Sequence, residues 1–324
     1  MSHENQPLKD VAIFSGNAHR KLAKHIAKFL KIKVSPISID KFSNDNIEVQ
    51  LGKSVRGKAV FLVQPLVPPT SDHLMELLLM IDIARMSGAK SIHAVIPHYS
   101  YGRSDKKDAP RISITARLVA DMLVTAGADH IISMTMHSPQ VHGFFSVPTD
   151  HLTAHSVFVK HFQKNDLSNT VVVSPDIGNA KRAAKLAYAL NVPLAIGQKQ
   201  RISDENVNIE SVLGEVKGKQ IIIFDDEIAT GGTIVELANH LKLAGAGSIS
   251  IAATHGLFLK KAKKRLDEID NITEIVVTNT VPVVKKKRPN KLITLNVGHI
   301  FGEVIRRTLV GESIGELFEF WPDN

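Results

Sequence analysis

The fold is decided by residues 221–233, which read Ile221-Ile222-Ile223-Phe224-Asp225-Asp226-Glu227-Ile228-Ala229-Thr230-Gly231-Gly232-Thr233. The four apolar residues at the start are typical of a buried parallel strand, and the two glycines mark a tight turn into a helix. The first backbone N–H groups of a helix have no intrahelical partner and carry the positive end of the helix dipole. The segment therefore predicts a strand, an anion-binding turn and a helix.

The side chains of this segment fit a ribose 5-phosphate group in two parts. The glycines at 231 and 232 let the backbone approach a phosphate closely, and the threonines on either side add hydroxyl donors. Asp225 and Asp226, which we expect in a loop beside the phosphate, offer carboxylates that accept hydrogen bonds from ribose hydroxyls. The segment thus predicts a sugar-phosphate site.

Short β-branched runs alternate with helical patterns along the whole chain. Alternation of this kind is typical of βαβ units on a parallel sheet. The predicted strands cover residues 60–63, 91–96, 131–134, 170–173, 220–224 and 248–253, and the predicted helices cover 72–86, 114–126, 179–190 and 233–243. The fold class is therefore α/β, with mainly parallel sheets flanked by helices.

A weak internal sequence repeat indicates a duplicated domain. Gly57-Lys58 precedes a strand and a helix that ends at residues 87–89, and Gly218-Lys219 precedes a strand and a helix that ends at residues 244–246. The length of 324 residues fits roughly two domains at about 150 residues each. Pro148 interrupts the pattern near the expected junction.

Composition excludes several classes of protein. The chain has no cysteine, which excludes a disulfide scaffold, a thiolate zinc site and a catalytic thiol, and a cytoplasmic location is expected. No signal peptide or membrane span is expected, because the N-terminus is polar and no apolar run approaches about 18 residues. The formal net charge of +8 suits anionic ligands.

The turn at 230–233 resembles the phosphoribosyl-diphosphate loop of type I phosphoribosyltransferases. Further stretches narrow the resemblance to the ribose-phosphate diphosphokinase (PRPP synthetase) family and extend it over nearly the whole chain. These stretches are Phe-Ser-Asn at 42–44, Ser-Val-Arg-Gly at 54–57, Asp-His-Leu-Met-Glu-Leu at 72–77, Tyr-Gly-Arg-Ser-Asp-Lys-Lys at 101–107, His-Ser-Pro-Gln at 137–140, Gly-Phe-Phe at 143–145, Ser-Pro-Asp at 174–176 and Val-Thr-Asn-Thr at 277–280.

The resemblance implies two tandem phosphoribosyltransferase-like domains. The first would span residues 1–152, completed by 309–324, and the second, which binds ribose 5-phosphate, would span 153–308. The implied enzyme transfers the diphosphate of Mg-ATP to O1 of ribose 5-phosphate and releases AMP, with Mg²⁺ as the cofactor. A homo-oligomer, either a hexamer or another assembly of dimers, is implied as well.

The resemblance also assigns site residues. Phe42 would stack on adenine, and Lys199 and Arg201 would be catalytic residues of a mobile loop after a strand at 193–196. The ATP side comprises Phe42, Asn44, Asn46, Arg103, Ser104, Asp105 and Lys106. The ribose 5-phosphate side comprises Asp176, Asp225, Asp226, Ala229, Thr230, Gly231, Gly232 and Thr233. His137 and Asp176 would hold the metal.

Some positions depart from the family pattern, and some belong to a regulatory anion site. The departures are Asn46, Ser104, Thr135, His142 and Ala229. Ser54, Arg56 and Arg111 match a site where phosphate activates and ADP inhibits. Pro110 and Gly315 stand where serines are usual, and Glu316 adds a negative charge, so weak dependence on phosphate is expected.

Two alternatives to the synthetase stay open at this point. One is a non-catalytic regulatory paralogue, and the other is a phosphoribosyltransferase acting on a base, which Ala229 supports. His151 and His155 have a spacing that predicts one shared helix face. The basic runs at 260–265 and 285–288 are expected to be solvated, and nucleic acid binding is not expected because only 5% of residues are aromatic.

Overall fold

The runs predicted as strands form two main sheets in the computed structural model, which describes residues 10–201 and 207–317. The chain divides into two compact units. The described residues through Thr153 and those from Gly298 onward form the first unit, and Ala154–Val297 forms the second. The return to the first unit comes at the start of a helix that packs on that unit, earlier in the chain than residue 309.

The elements follow one another in strand–helix alternation. In chain order they are β1 (Val11–Ser15), α1 (Arg20–Phe29), β2 (Ile37–Lys41), β3 (Ile47–Leu51), β4 (Ala59–Val63), α2 (Thr70–Met86), β5 (Ser91–Ile96), α3 (Thr115–Ala126), β6 (His130–Met134), β7 (Thr149–Leu152), α4 (His155–Phe162), β8 (Thr170–Ser174), α5 (Ile177–Leu190), β9 (Leu194–Arg201), β10 (Val207–Leu213), β11 (Gln220–Ile228), α6 (Gly232–Leu243), β12 (Ile249–Gly256), α7 (Ala262–Asp267), β13 (Ile272–Thr278), β14 (Leu292–Leu295) and α8 (Gly298–Val310).

The first unit contains a five-stranded sheet in the order β1-β4-β5-β6-β7, and every neighbouring pair is parallel. Its strands β1 and β6 are buried along their whole length, as expected for strands covered on both faces. The antiparallel hairpin β2–β3 stands as a separate two-stranded sheet. Helix α8 packs on α1, where Phe29 lies against Gly302 so closely that a β-carbon at 302 would clash with its ring.

The second unit contains a seven-stranded sheet in the order β10-β9-β8-β11-β12-β13-β14. Every neighbouring pair is parallel except β10, which runs antiparallel to β9. The chain adds β9 on one side of β8 and then β11 on the other, so the strand order reverses between β8 and β11. Open α/β sheets bind ligands outside the carboxyl ends of the strands at such a reversal.

The core of the second unit holds β11 and α6 in place. Ile221 and Ile223 of β11 are buried with Leu237 and Leu241 of α6 in one apolar cluster. Burying an aliphatic side chain of this size stabilises the folded state by about 1.5–3 kcal/mol. The strand and the helix on either side of residues 229–231 are therefore firmly anchored.

The two segments of the internal sequence repeat adopt the same turn. The N–H of Gly57 donates to the carbonyl of Gly88, and the N–H of Gly218 donates to the carbonyl of Gly245, each at 2.8 Å. All four glycines have positive φ, between 70° and 82°, a conformation that other residues adopt only with strain. The equivalence that the sequence indicated between these segments therefore extends to hydrogen bonds and backbone angles.

The α/β class with parallel sheets is confirmed, and the ten predicted strands and helices are all present. The prediction that His151 and His155 share one helix face is wrong. His151 lies in β7, where its Nε2 accepts a hydrogen bond from the N–H of Met136 at 2.8 Å. His155 begins α4, so the i,i+4 spacing spans a strand end and a helix start.

Candidate active site

The acidic pair Asp225 and Asp226 lies within strand β11, so the prediction of a loop at these residues is wrong. Parallel pairing of β11 with β12 continues past them through Glu227↔His255 and Ile228↔Gly256. The alternation of a strand then gives the two acids different surroundings, because successive side chains point to opposite faces. Asp226 is only 6% exposed, whereas Asp225 is half-buried.

Charges converge around this pair. Arg182 of α5 places Nη1 3.5 Å from Oδ2 of Asp226, and both side chains are largely buried. Burial raises the pKa of the Asp225 carboxyl well above its usual value, and the neighbouring carboxylates of Asp226 and Asp176 raise it further. The structure therefore brings Asp176, which follows β8, next to the adjacent pair Asp225 and Asp226 in the second half of β11, about 50 residues further along the chain.

Asp176 follows β8 and caps helix α5. Its Oδ1 accepts the backbone N–H of Asn179 at 3.0 Å, and its carbonyl accepts the hydroxyl of Ser174 at 2.8 Å. A side-chain oxygen in this position satisfies one of the N–H groups that a helix start leaves without a partner. The cap fixes Asp176 at the reversal of strand order, next to the acidic pair.

The segment from β11 to α6 forms the strand, tight turn and helix that the sequence predicts. Gly231 adopts φ +76°, and a β-carbon there would meet nothing closer than 3.7 Å, so backbone conformation rather than space requires glycine. The carbonyls of Ile228 and Ala229 accept N–H groups of residues 257–259 at 2.8–3.1 Å, which anchors the turn. Helix α6 begins at Gly232 and directs its first N–H groups out of the turn.

The predicted catalytic residues Lys199 and Arg201 belong to a strand rather than a loop. Strand β9 extends through Arg201 because β10 pairs with it, with Lys199 opposite Ile209 and Arg201 opposite Val207. Apolar residues alternate along the first half of β10 and favour this pairing. The side chains of residues 199–201 and 207–210 and the whole of residues 202–206 lie outside the described part of the chain.

The residues of the β2–β3 hairpin that are predicted to bind the nucleotide lie at its tip, in the first unit. The N–H of Phe42 donates to the carbonyl of Asn46 at 2.8 Å, and Oδ1 of Asn44 accepts the N–H of Asn46 at 3.2 Å. These bonds close the turn and leave the ring of Phe42 53% exposed. An aromatic ring held in this way offers a face for a planar ligand.

A second group of predicted residues lies beyond β5 and β6. Arg103 ends the short 3₁₀ helix Ser100–Arg103, and Ser104, Asp105 and Lys106 follow it. A β-carbon at Gly102 would lie 3.6 Å from the backbone N of His137, so the 3₁₀ helix and the loop after β6 are in contact. Arg103 and His137 are both exposed at this edge of the sheet.

The predicted regulatory residues are divided between two places. Ser54 and Arg56 line a cleft of about 710 Å³, together with residues 49–53, Met86 and Ser87. Arg111 lies outside that lining, in the coil before α3. Gly315 donates its N–H to Oγ of Ser313 at 3.2 Å, and the side chain of Glu316 lies outside the described part of the chain.

Comparison with known proteins assigns the family. The profile of the N-terminal domain of ribose phosphate pyrophosphokinase matches residues 11–127, and that of the phosphoribosyl synthetase-associated domain matches residues 202–319. A Streptomyces coelicolor protein is 51% identical over 97% of this chain and 99% of its own. The ribose-phosphate pyrophosphokinase of Deinococcus radiodurans is 44% identical over 98% of this chain and 100% of its own. The chain belongs to the ribose-phosphate pyrophosphokinase family.

A solved structure from this family of enzymes shows the same fold. The phosphoribosylpyrophosphate synthetase of Mycobacterium smegmatis superposes with a TM-score of 0.88 at 40% identity, covering 93% of this chain and 99% of that one. The resemblance inferred from the sequence motifs is thereby confirmed. Within residues 10–201 and 207–317, no helix has the length and apolar character required to cross a membrane.

Ribose-phosphate pyrophosphokinase membership raises the question of a magnesium site. Among the residues that the structure describes, no three His, Asp or Glu side chains form a cage that could hold a metal. Mg²⁺ usually keeps several waters and binds through one or two carboxylates together with substrate phosphates, so it needs no such cage. The half-buried carboxylate of Asp176, at the carboxyl end of β8, is a ligand of the right chemistry.

Two residues at the acidic site, Asn179 and Arg182, carry no motif of their own in the sequence. Both lie on α5, and both contact residues of β11. The Asp-x-x-Asn spacing at 176–179 indicates a helix cap but not the second contact of Asn179. That contact depends on the neighbouring strand and becomes visible only in the folded chain.

Proposed function

We propose that the chain transfers the diphosphate group of Mg-ATP to O1 of ribose 5-phosphate, giving 5-phosphoribosyl 1-diphosphate and AMP. One observation carries the proposal. The acidic pair of β11 and the positive-φ turn at Gly231 adjoin each other at the reversal of strand order in the second unit. A single ligand with hydroxyls at one end and a phosphate at the other satisfies both.

Electrostatics orients ribose 5-phosphate in this site. A phosphate is repelled by the three carboxylates of Asp176, Asp225 and Asp226, and is attracted to the N-terminus of α6. The phosphate therefore binds residues 229–233, namely Ala229, Thr230, Gly231, Gly232 and Thr233. The ribose hydroxyls then donate hydrogen bonds to Asp225 and Asp226.

The residues of the first unit serve the nucleotide. The exposed ring of Phe42 stacks on adenine, and Asn44 and Asn46 shape the hairpin tip that presents it. Arg103 and Lys106 supply positive charge to the phosphates, and Ser104 and Asp105 add polar groups.

The proposed cofactor is Mg²⁺, and the proposed protein ligands are His137 and Asp176. When bound, the ion neutralises charge on the phosphate oxygens. Asp176 is already held in position by its cap on α5, so its carboxylate does not need to be ordered by the ligand.

In the proposed reaction, O1 of the sugar forms a bond to the β-phosphorus of ATP, and the bond from that phosphorus to the oxygen shared with the α-phosphate breaks. AMP leaves with that oxygen, and the proton of the O1 hydroxyl is released. Lys199 and Arg201 of β9 are the proposed catalytic residues. Such transfers depend mainly on positioning and charge stabilisation, which two cationic side chains provide.

Two further properties belong to the proposal. The chain forms a homo-oligomer, and Ser54, Arg56 and Arg111 belong to a regulatory anion site, of which Ser54 and Arg56 line the cleft beside Met86 and Arg111 lies outside that lining. Gly315 stands where the family resemblance implies a serine of this regulatory site, and loss of that hydroxyl donor weakens binding of the anion.

The experiment is to incubate the purified chain with ATP, MgCl₂ and ribose 5-phosphate and to follow AMP and 5-phosphoribosyl 1-diphosphate together by ³¹P NMR. Equal release of both products is expected, and omission of ribose 5-phosphate or addition of EDTA should abolish it. The absence of AMP release would contradict the proposal and favour the non-catalytic paralogue. Consumption of added 5-phosphoribosyl 1-diphosphate with a free base would favour the transferase.

A further inference from the structure

Asn179 links the two strand ends that carry the acidic site. Its backbone N–H donates to Oδ1 of Asp176, after β8, at 3.0 Å. Its side-chain Nδ2 donates to the carbonyl of Phe224 in β11 at 2.6 Å. One residue of α5 is therefore hydrogen-bonded both to the acid at the end of one strand and to the residue immediately before the acidic pair on the next.

The linked carbonyl lies where the sheet itself stops holding the two strands together. Pairing of β8 with β11 ends at Val173↔Ile223, and Phe224 is the next residue. The Asn179 amide continues this link by one residue, up to the start of Asp225 and Asp226. Three residues further along α5, Arg182 reaches Oδ2 of Asp226, so the helix holds the acidic pair from the backbone and from a side chain.

The orientation of the Asn179 amide is determined by this contact. A carbonyl accepts hydrogen bonds and does not donate them, so the NH₂ group rather than the oxygen must face Phe224. The side-chain Oδ1 is then buried, and it has no hydrogen-bond partner among the described residues. A buried acceptor without a donor offsets part of the stability that the Nδ2 bond contributes, so stability alone is an incomplete account of an asparagine here.

We propose that Asn179 is a positioning residue for ribose 5-phosphate. It fixes the backbone at Phe224 and thereby the spacing between Asp176 and the carboxylates of Asp225 and Asp226. This inference rests on the proposed function, because it assumes that the acidic pair receives the ribose hydroxyls. The donor group of Asn179, and not its size, is the property that matters.

Two variants separate the donor from the shape. Asn179→Ala removes the bond, and Asn179→Asp keeps the shape but sets an acceptor against the Phe224 carbonyl and adds charge beside three carboxylates. We expect Asn179→Ala to weaken binding of ribose 5-phosphate, measured by calorimetry, roughly 5- to 100-fold, and Asn179→Asp to weaken it more. A role in packing alone predicts the opposite order, because aspartate fills the same space.

Asn271 provides the matched control. Its Nδ2 donates to the carbonyl of Gly247 at 3.1 Å, and its Oδ1 is likewise buried without a partner among the described residues. It lies before β13, at the opposite edge of the sheet from the acidic site. Asn271→Ala should lower the melting temperature and leave both the Kd for ribose 5-phosphate and the KM for ATP unchanged.

The outcomes distinguish this inference from its premise. An unchanged Kd in both Asn179 variants, or an equal change in Asn271→Ala, overturns the positioning role. If Asp226→Asn abolishes binding while the Asn179 variants bind normally, the proposed function stands and only the role of Asn179 fails. If Asp226→Asn binds normally, the premise about the acidic pair fails instead. The expected result is weak binding in the Asp226 and Asn179 variants and normal binding in Asn271→Ala.

Discussion

Asp225 and Asp226 are chemically identical neighbours that the strand separates into two different roles. Asp226 is buried against Arg182, so its charge has a partner. Asp225 sits beside two other carboxylates, and burial together with those charges raises its pKa. Asp226 therefore contributes to the stability of the folded chain, whereas ionisation of Asp225 costs the folded chain free energy.

Asp226→Ala should therefore destabilise the chain by about 1–3 kcal/mol, since it leaves the buried guanidinium of Arg182 without this carboxylate. Asp225→Asn should be neutral or stabilising, because it removes like-charge repulsion. Urea unfolding of both variants measures the difference. Equal losses in the two variants would show that the ion pair does not stabilise the fold.

Phe42 provides a residue whose function can be tested without a change in stability. Its ring is 53% exposed at the hairpin tip, so truncation removes little buried surface. Phe42→Ala should raise the KM for ATP and leave the KM for ribose 5-phosphate and the melting temperature unchanged. Steady-state kinetics with each substrate varied in turn measures this. A parallel rise in both KM values would exclude adenine stacking as the role of the ring.

At the scale of elements, the hairpin β9–β10 places the proposed catalytic residues on paired backbone. Lys199 and Arg201 both lie on β9, where their backbones pair with Ile209 and Val207 of β10. Lys199→Ala should lower kcat roughly 10²- to 10³-fold, the effect of removing one preorganised charge from a transition state.

Gln200→Ala is the matched control for Lys199→Ala, because Gln200 lies on the same strand, is uncharged and has no proposed catalytic role. It should leave kcat unchanged. A rise in KM alone for Lys199→Ala would assign this residue to substrate binding rather than to the chemical step.

Three neighbouring strands, β5, β6 and β7, carry a row of polar side chains that contact one another. Nε2 of His130 lies 2.9 Å from Asp150, Nδ1 of His130 lies 3.0 Å from Nδ1 of His93, and Nε2 of His93 lies 2.9 Å from Oγ of Ser91. Burial, with His130 nearby, lowers the pKa of His93 from 6.5 to about 3. The folded chain therefore holds His93 neutral.

A depressed histidine pKa sets the sign of a pH effect. Between pH 6.5 and about 3 the unfolded chain binds a proton at His93 that the folded chain does not, so stability is lost as pH falls through this window. His93→Asn should lose less unfolding free energy than the parent between pH 7.5 and pH 5. Urea unfolding at both values measures it, and identical losses would refute the assignment.

Local sequence signals specified the elements well and the site only partly. The apolar run at 91–96 predicted β5 and the glycines predicted the turn at Gly231, because both elements depend on residues close in sequence. Local sequence could not predict where β9 and β11 end. Pairing with β10 and β12 extends them through polar residues, and the contacts of Asn179 and Arg182 arise only from that packing.

At the scale of the whole molecule, the second unit is inserted in the chain of the first. Helix α8 buries Ile300, Phe301, Val304 and Ile305 in a unit whose strands all precede residue 153. Each such side chain stabilises the fold by about 1.5–3 kcal/mol, so four of them amount to a large part of the roughly 5–15 kcal/mol that typically stabilises a domain.

Deletion of residues 298–324 should therefore unfold the first unit and leave the second folded. Limited proteolysis should degrade residues 10–153 of the shortened chain and spare a fragment that corresponds to Ala154–Val297. The full-length chain under the same protease is the control. Protection of both units after the deletion would mean that α8 is dispensable for the first one.

The packing of α8 on α1 also bears on the order of events at the ribosome. Translation adds roughly 5–20 residues per second, so α1 emerges on the order of tens of seconds before its partner helix is synthesised. The inserted unit is complete by Val297, whereas the first unit lacks its last helix until then. The second unit of the nascent chain can thus fold before the first unit does. During that interval the apolar face of α1 is a surface for a chaperone to cover.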